Sequence, residues 1–322
     1  MEAPGSTGAH AATVTPAART AFAALVDYAG LYPPAQLPME AAVAEYDNAR
    51  RGPFAWILGR YIVPATQVAE LLGLTQTGEP FALSVIVDAD REPRTWSASL
   101  IATLELLARL GADDPRVKIG ALELPLPRLQ AMRDTYDASI GQFAAARAHH
   151  GFRDLPAYIE IPRDARWTAL LPGALAALAR HRLGAKVRCG GLTADAVPSC
   201  AEIAAFIRAA CEERVSFKAT AGLHHPVRHL DAATGAMQHG FLNLMCATLV
   251  ARAGDSDSIE PAVAEEDPAK FAWEADSFSW RGHRFDVPAL AAMRESFVGY
   301  GSCSFSEPVE DLTALRVLEA AA

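Results

Sequence analysis

Short β-branched runs alternate with Ala- and Leu-rich segments of helical period along nearly the whole chain, and few folds accept that pattern. It predicts parallel strands joined by crossover helices, an α/β architecture. The clearest strands fall at 55–63, 82–88, 117–124, 157–161, 185–189 and 215–220, with helical stretches at 39–51, 68–74, 98–110, 129–149, 168–182 and 201–213. Pro198-Ser199 opens the last of these helices, and Gly111 and Gly184 follow earlier ones, residue types that start and stop helices.

Six such units make either a doubly wound sheet or most of a barrel, and the ends of the chain decide. A short strand at 25–31, preceded by a helix at 16–24, and a last strand at 296–300, followed by a helix at 309–318, bring the count to eight. The expected fold is therefore a (β/α)8 barrel, a single domain over 16–322 behind a flexible tail at 1–15. A barrel needs about 250 residues, and most of the excess in this 322-residue chain lies in one insertion, about 223–295. That insertion is expected to form a lid or side wall, with a helix near 237–252, an acidic linker at 255–267 and a hairpin around Arg281-Gly282-His283. Neither G-x-G-x-x-G nor G-x-x-x-x-G-K-[ST] occurs, which weighs against a nucleotide-binding sheet.

Composition removes several function classes. With 29 Lys+Arg against 38 Asp+Glu the formal charge is −9, so no nucleic-acid partner is expected. The longest apolar run, 240–251, is broken by Asn243 and Thr248 and falls short of the roughly 18 residues of a membrane span, so no membrane partner is expected. Residues 1–16 lack the cationic start and apolar stretch of a signal peptide, and five cysteines without a C-x-x-C pair suit a reducing compartment; both point to the cytoplasm. Self-association into a homo-oligomer is compatible with the sequence.

Side chains alternate along a strand, which sorts each strand into a helix-facing and an interior set. In 215–220 the apolar Val215, Phe217 and Ala219 belong under the helices, turning Ser216, Lys218 and Thr220 inward. The same rule sends Lys186 and Arg188 inward from 185–189, and Tyr158 and Glu160 from 157–161. Adding Glu123, with Asp88 and Arg60 expected near the C-terminal mouth, gives a ring of charges where barrel enzymes keep their chemistry. Its cations suit a small anionic substrate.

Lys218 lies in Phe217-Lys218-Ala219-Thr220-Ala221-Gly222 and Lys186 in Lys186-Val187-Arg188-Cys189-Gly190-Gly191, each strand ending in glycine. Two neighbouring cations lower each other's pKa, and desolvation lowers it further, so one lysine is expected as a neutral amine able to attack a carbonyl. Lys218, followed by small residues, is the expected nucleophile. Lys186 acts through its charge and Arg188 clamps a carboxylate or phosphate.

These segments resemble those of the class I, Schiff-base aldolases, most of all the deoxyribose-phosphate aldolase family, whose barrel carries a lysine on each of strands six and seven. Gly301-Ser302-Cys303-Ser304 is similar to that family's phosphate loop. The resemblance implies a lyase acting through a lysine imine without a cofactor, with Ser302 and Ser304 on the substrate anion. Arg188, the pair His224-His225 and the length of the insertion depart from the family pattern.

His224 and His225, on the loop after the Lys218 strand, leave two readings open. One is general acid–base chemistry beside the imine, together with Glu160 and Glu123. The other makes His224, His225, Glu123 and Glu160 ligands of a divalent metal such as zinc or manganese in a metal-dependent hydrolase or lyase. His239 and Asn243 could face the mouth, and Cys303 is the cysteine placed to react.

Overall fold

A computed structural model of the chain describes residues 14–75, 79–131, 134–232 and 234–318. Most of the tail expected at 1–15 lies outside the described residues. In chain order the strands are β1 (Val26–Tyr28), β2 (Leu58–Pro64), β3 (Ala82–Ile86), β4 (Lys118–Pro125), β5 (Ala157–Glu160), β6 (Gly184–Arg188), β7 (Phe217–Thr220), then β8 (His229–Asp231), β9 (Ala236–Gln238), β10 (Phe271–Trp273), β11 (Ser277–Trp280) and β12 (His283–Asp286) of the insertion, and last β13 (Phe297–Ser302). β1 to β7 and β13 close a parallel barrel in the order β1-β13-β7-β6-β5-β4-β3-β2. The expected (β/α)8 barrel is thus the observed fold.

The helices are α1 (Pro16–Phe22), α2 (Met39–Ala49), α3 (Val68–Leu74), α4 (Pro93–Asp113), α5 (Asp137–His149), α6 (Trp167–Arg180), α7 (Cys200–Glu212), α8 (Phe241–Arg252), α9 (Ile259–Ala264), α10 (Val287–Ser296) and α11 (Ser306–Ala314). α7 begins where Ser199 predicts, through a capping box in which the Ser199 hydroxyl accepts from the Glu202 amide and the Glu202 carboxylate accepts from the Ser199 amide. Gly111 does not stop its helix. α4 runs through it, because a glycine costs only about 1 kcal/mol there and Trp96, Leu100, Leu104 and Leu107 anchor one long buried face. Gly184 opens β6 rather than ending α6.

The insertion is a side wall and a base, and its reach over the mouth is confined to one hairpin. α8 is buried from Phe241 to Val250, as a helix apolar on all sides must be, and the Phe241 ring stacks on Tyr300 of β13 at 5.1 Å. The sheet β10-β11-β12 rests on α1 at the opposite end, where the Ala17 amide donates to the Ala275 carbonyl and Phe22 meets Trp273 at 4.9 Å. The acidic stretch is structural: Glu265, 4% exposed, accepts from the Trp280 indole and the Arg281 guanidinium. The β8–β9 hairpin reaches the ends of β6 and β7, bringing Gln238 against Gly190 and Gly222.

Candidate active site

The strand register sets Glu160 beside Lys186 and Lys186 beside Lys218, so these three side chains leave adjacent strands at one level. Their helix-facing neighbours are apolar and packed: Phe217 meets Phe206 of α7 and Phe297 of β13. That packing holds the charged set to the interior, because a one-residue slip would bury the charges under the helices.

Inside the barrel the charges alternate in sign. The Lys218 ammonium lies 2.5 Å from Asp27 Oδ2 and 2.5 Å from Glu123 Oε1, and 3.4 Å from the Ser84 hydroxyl. Glu123 Oε1 also accepts from Ser84 at 2.6 Å, while its Oε2 faces Lys186 Nζ at 2.7 Å. Lys186 reaches Glu160 Oε2 at 3.5 Å, and the other Glu160 oxygen accepts from Arg91 at 2.6 Å. Glu123 therefore bridges both lysines from across the barrel.

Burial alone would push the Glu123 carboxyl up, yet Lys186 and Lys218 outweigh it and hold the group far below the ordinary range. For Glu160, burial is likewise outweighed, by Lys186, Arg188 and Arg91. Burial alone would lower Lys218, but Asp27 and Glu123 raise it. The direction runs against the expected neutral Lys218: it is 1% exposed and closed in by two carboxylates that favour its charged form and that the neighbouring-lysine argument left out.

These shifts fix a pH dependence of stability. Glutamates depressed in the fold stabilise fully above their unfolded value of 4.5, and the stabilisation declines as pH falls below it. Lys218, raised in the fold, stabilises fully below 10.5 and loses its share as pH rises through its folded value. Urea midpoints are expected to be flat between these limits with respect to this network, and Glu160→Gln should make the acid decline shallower. An acid limb identical in that variant would count against the charge chain.

Asp27, Ser84 and Arg91 were not singled out by the sequence. A single acid in the apolar Leu25-Val26-Asp27-Tyr28 run was the available signal for Asp27; Arg91 comes from a loop and carried none. Tyr32, also missed, follows β1, and its buried phenol oxygen has no hydrogen-bond partner among the described residues. Burial, with Glu123 and Asp88 nearby, raises its pKa and keeps it protonated.

Other expected positions move. Arg60 approaches Asp27 at 3.9 Å and lies below the mouth, because β2 runs on four residues past it to Pro64. Asp88 lies past the end of β3, exposed, and accepts from the Thr66 amide and hydroxyl, tying two loops together. Arg188 is exposed at the end of β6 and, among the described residues, has no carboxylate within ion-pair distance.

Ser302 is 2% exposed, with its hydroxyl facing the Ser304 amide at 3.4 Å, while the Ser304 hydroxyl meets Ser306 and the Glu307 amide. Both hydroxyls accept from backbone amides of their own loop. His224 Nδ1 pairs with Glu307 at 3.0 Å and His225 Nδ1 with Asp311 at 2.6 Å, both on α11. The four residues weighed as metal ligands are therefore split between α11 and the lysine chain, and no group of three or more His, Cys, Asp or Glu able to hold a metal ion occurs among the described residues.

His239 is buried, pushed down to about 4 by burial, and bonded to the Pro198 carbonyl; Asn243 donates to the Ala262 and Glu265 carbonyls. His239 thus ties the insertion to the segment before α7, and Asn243 ties α8 to the segment 262–265. Cys303 is buried, 3.9 Å from the His224 ring, with its thiol pushed up by burial. A cavity of about 420 Å³ lined by Tyr158, Gly184, Arg214 and Ser216 opens at the opposite, N-terminal end of the strands, away from the lysines.

No family model matches the sequence, and no curated protein matches it. Among solved structures the chain is similar to a tetrameric deoxyribose phosphate aldolase from Aeropyrum pernix, at 9% identity and a TM-score of 0.49, over 92% of this chain and 93% of that one. No described helix is long and apolar enough to cross a membrane.

Proposed function

We propose that the protein is a carbon–carbon lyase of aldolase type that acts on a small carboxylated or phosphorylated carbonyl compound through an imine on Lys186. The observation that carries this reading is the pair of interior lysines bridged by one buried carboxylate, with only Lys186 placed beside the charged rim. Lys218 is enclosed by Asp27, Ser84 and Glu123. Lys186 instead borders Glu160, whose second oxygen meets the loop residue Arg91, and Arg188 stands free above it.

Lys186 first loses a proton to solvent, and the resulting amine adds to the substrate carbonyl carbon. The carbonyl oxygen gains protons and leaves as water, giving an iminium ion. The bond one carbon further along then breaks: its electron pair moves into the iminium as an enamine, and the β-hydroxyl gives up its proton to a carboxylate as it becomes an aldehyde. Protonation of the enamine and addition of water return Lys186 and the second product. Lys218 stays charged and supplies a fixed positive field beside the imine. The Tyr32 phenol, protonated and without a hydrogen-bond partner among the described residues, is a donor for a substrate oxygen. Arg188 holds the substrate anion.

Borohydride reduction in the presence of a panel of small keto acids and hydroxyaldehydes tests this reading. The chain has only four lysines, Lys118, Lys186, Lys218 and Lys270, so intact mass spectrometry resolves the products cleanly. One substrate-dependent adduct and activity unaffected by chelators are expected. No adduct, with activity removed by chelation, would replace the imine with metal chemistry.

A further inference from the structure

Lys186 and Lys218 occupy paired positions on neighbouring strands, yet carboxylates do not hold them equally. Lys218 has two at 2.5 Å, from Asp27 and Glu123. Lys186 has Glu123 at 2.7 Å but Glu160 only at 3.5 Å. The other oxygen of Glu160 is taken by the Arg91 guanidinium, at 2.6 Å. Arg91 belongs to the loop between β3 and α4, and that loop is fixed on both sides of it. Its carbonyl accepts from the Arg128 amide at 3.0 Å, which joins the loop to the one after β4. The Asp90 carboxylate accepts from the Thr95 hydroxyl at 2.6 Å and the Glu92 amide at 3.0 Å, while the Asp90 amide donates to the Ser99 hydroxyl at 2.8 Å.

We infer that Arg91 is a positioning residue for the Lys186 amine: it holds Glu160 off Lys186 and so lets that lysine, rather than Lys218, give up its proton. Two effects of the guanidinium act in the same direction. It competes for the Glu160 carboxylate, and as a second cation on that carboxylate it disfavours a charged neighbour. Without it Glu160 is free to close on Lys186, which would then be held by two carboxylates as Lys218 is. The other charged groups facing Lys186 are Glu123 of β4, Lys218 of β7 and, two positions on in β6, Arg188; Asp27 and Arg60 are engaged beyond Lys218, and the Tyr32 phenol lies near Glu123. Burial pushes the Glu160 carboxyl up, while Lys186, Arg188 and Arg91 hold it low, so it remains an anion for which these cations compete. The Arg91 side chain is 41% exposed and water screens it in part, but the carboxylate it grips is only 6% exposed. The inference stands apart from the lyase reading, on which only its consequence for turnover rests.

With four lysines in the chain, protein labelled at lysine Cε with an NMR-active carbon isotope gives four signals, each reporting the protonation of one side chain as pH rises. The titrations would be recorded on the wild-type chain, Arg91→Gln, Arg91→Lys, Glu160→Gln and the double variant. In Arg91→Gln the Lys186 midpoint should move upward by about half to one pH unit, with the exposed Lys118 and Lys270 unmoved as a check on folding. Arg91→Lys keeps the charge and should stay near the wild type. In the Glu160→Gln background, loss of Arg91 should move Lys186 by less than half as much, because the carboxylate through which it acts is gone. A Lys186 midpoint that is unchanged or lowered in Arg91→Gln, or a shift undiminished in the double variant, would overturn the inference. If the midpoint moves as expected while borohydride traps nothing, the lyase reading fails and the role of Arg91 stands. If borohydride labels Lys186 and the midpoint does not move, the lyase reading stands and this inference fails.

Discussion

Glu123→Ala is expected to destabilise the fold by about 3–5 kcal/mol, the range for breaking a buried ion pair by removing one partner. Glu123 is 1% exposed and is the one carboxylate that touches both Lys186 and Lys218. Without it two lysine side chains on paired strand positions face each other in a region of low dielectric, and Asp27 is the carboxylate that remains on Lys218. The loss should appear as a lower urea midpoint at pH 7 with an unchanged slope. Ser84→Ala removes a single hydrogen bond to the same carboxylate and should cost about 1 kcal/mol. Equal costs for the two variants would show that Glu123 is not the bridge described.

Lys186→Met is expected to reduce turnover to background while the protein stays folded. Its removal leaves Glu160 bonded to Arg91 at 2.6 Å and Glu123 bonded to Lys218 at 2.5 Å, so neither carboxylate is stranded. Lys218→Met behaves in the opposite way. It strands Glu123 and Asp27 together, with Lys186 and the more distant Arg60 as their remaining cations, and should be the less stable of the two variants. The comparison requires thermal melts and turnover on both proteins, since activity alone cannot separate a missing nucleophile from a loosened barrel. Glu160→Gln should retain the fold and lose about 10²–10⁴-fold in rate, the usual contribution of a positioned proton carrier.

The barrel was legible because its signal is repetitive: eight strand–helix units leave the same periodic mark, and strand alternation alone turned Glu160, Lys186 and Lys218 to one side. What the sequence could not supply was the partner of each charge. Asp27 lies 191 positions before Lys218 and Glu123 lies 95 before it, and no local pattern links residues so far apart. That omission reverses the direction of the shift expected for Lys218, and the proposal of Lys186 as nucleophile rests on it. His224 and His225 stood beside the lysine strand in sequence, yet α11 returns over that loop and takes both through Glu307 and Asp311.

The most direct test of the imine on Lys186 is to locate the borohydride adduct. Protein reduced in the presence of a carbonyl compound that it turns over would be digested and the modified peptide sequenced by mass spectrometry. The account predicts that the adduct lies on Lys186, in the peptide that ends at Arg188, with Lys118, Lys218 and Lys270 unmodified. An adduct on Lys218 would contradict it, because the ammonium held by Asp27 and Glu123 would then be the reacting amine.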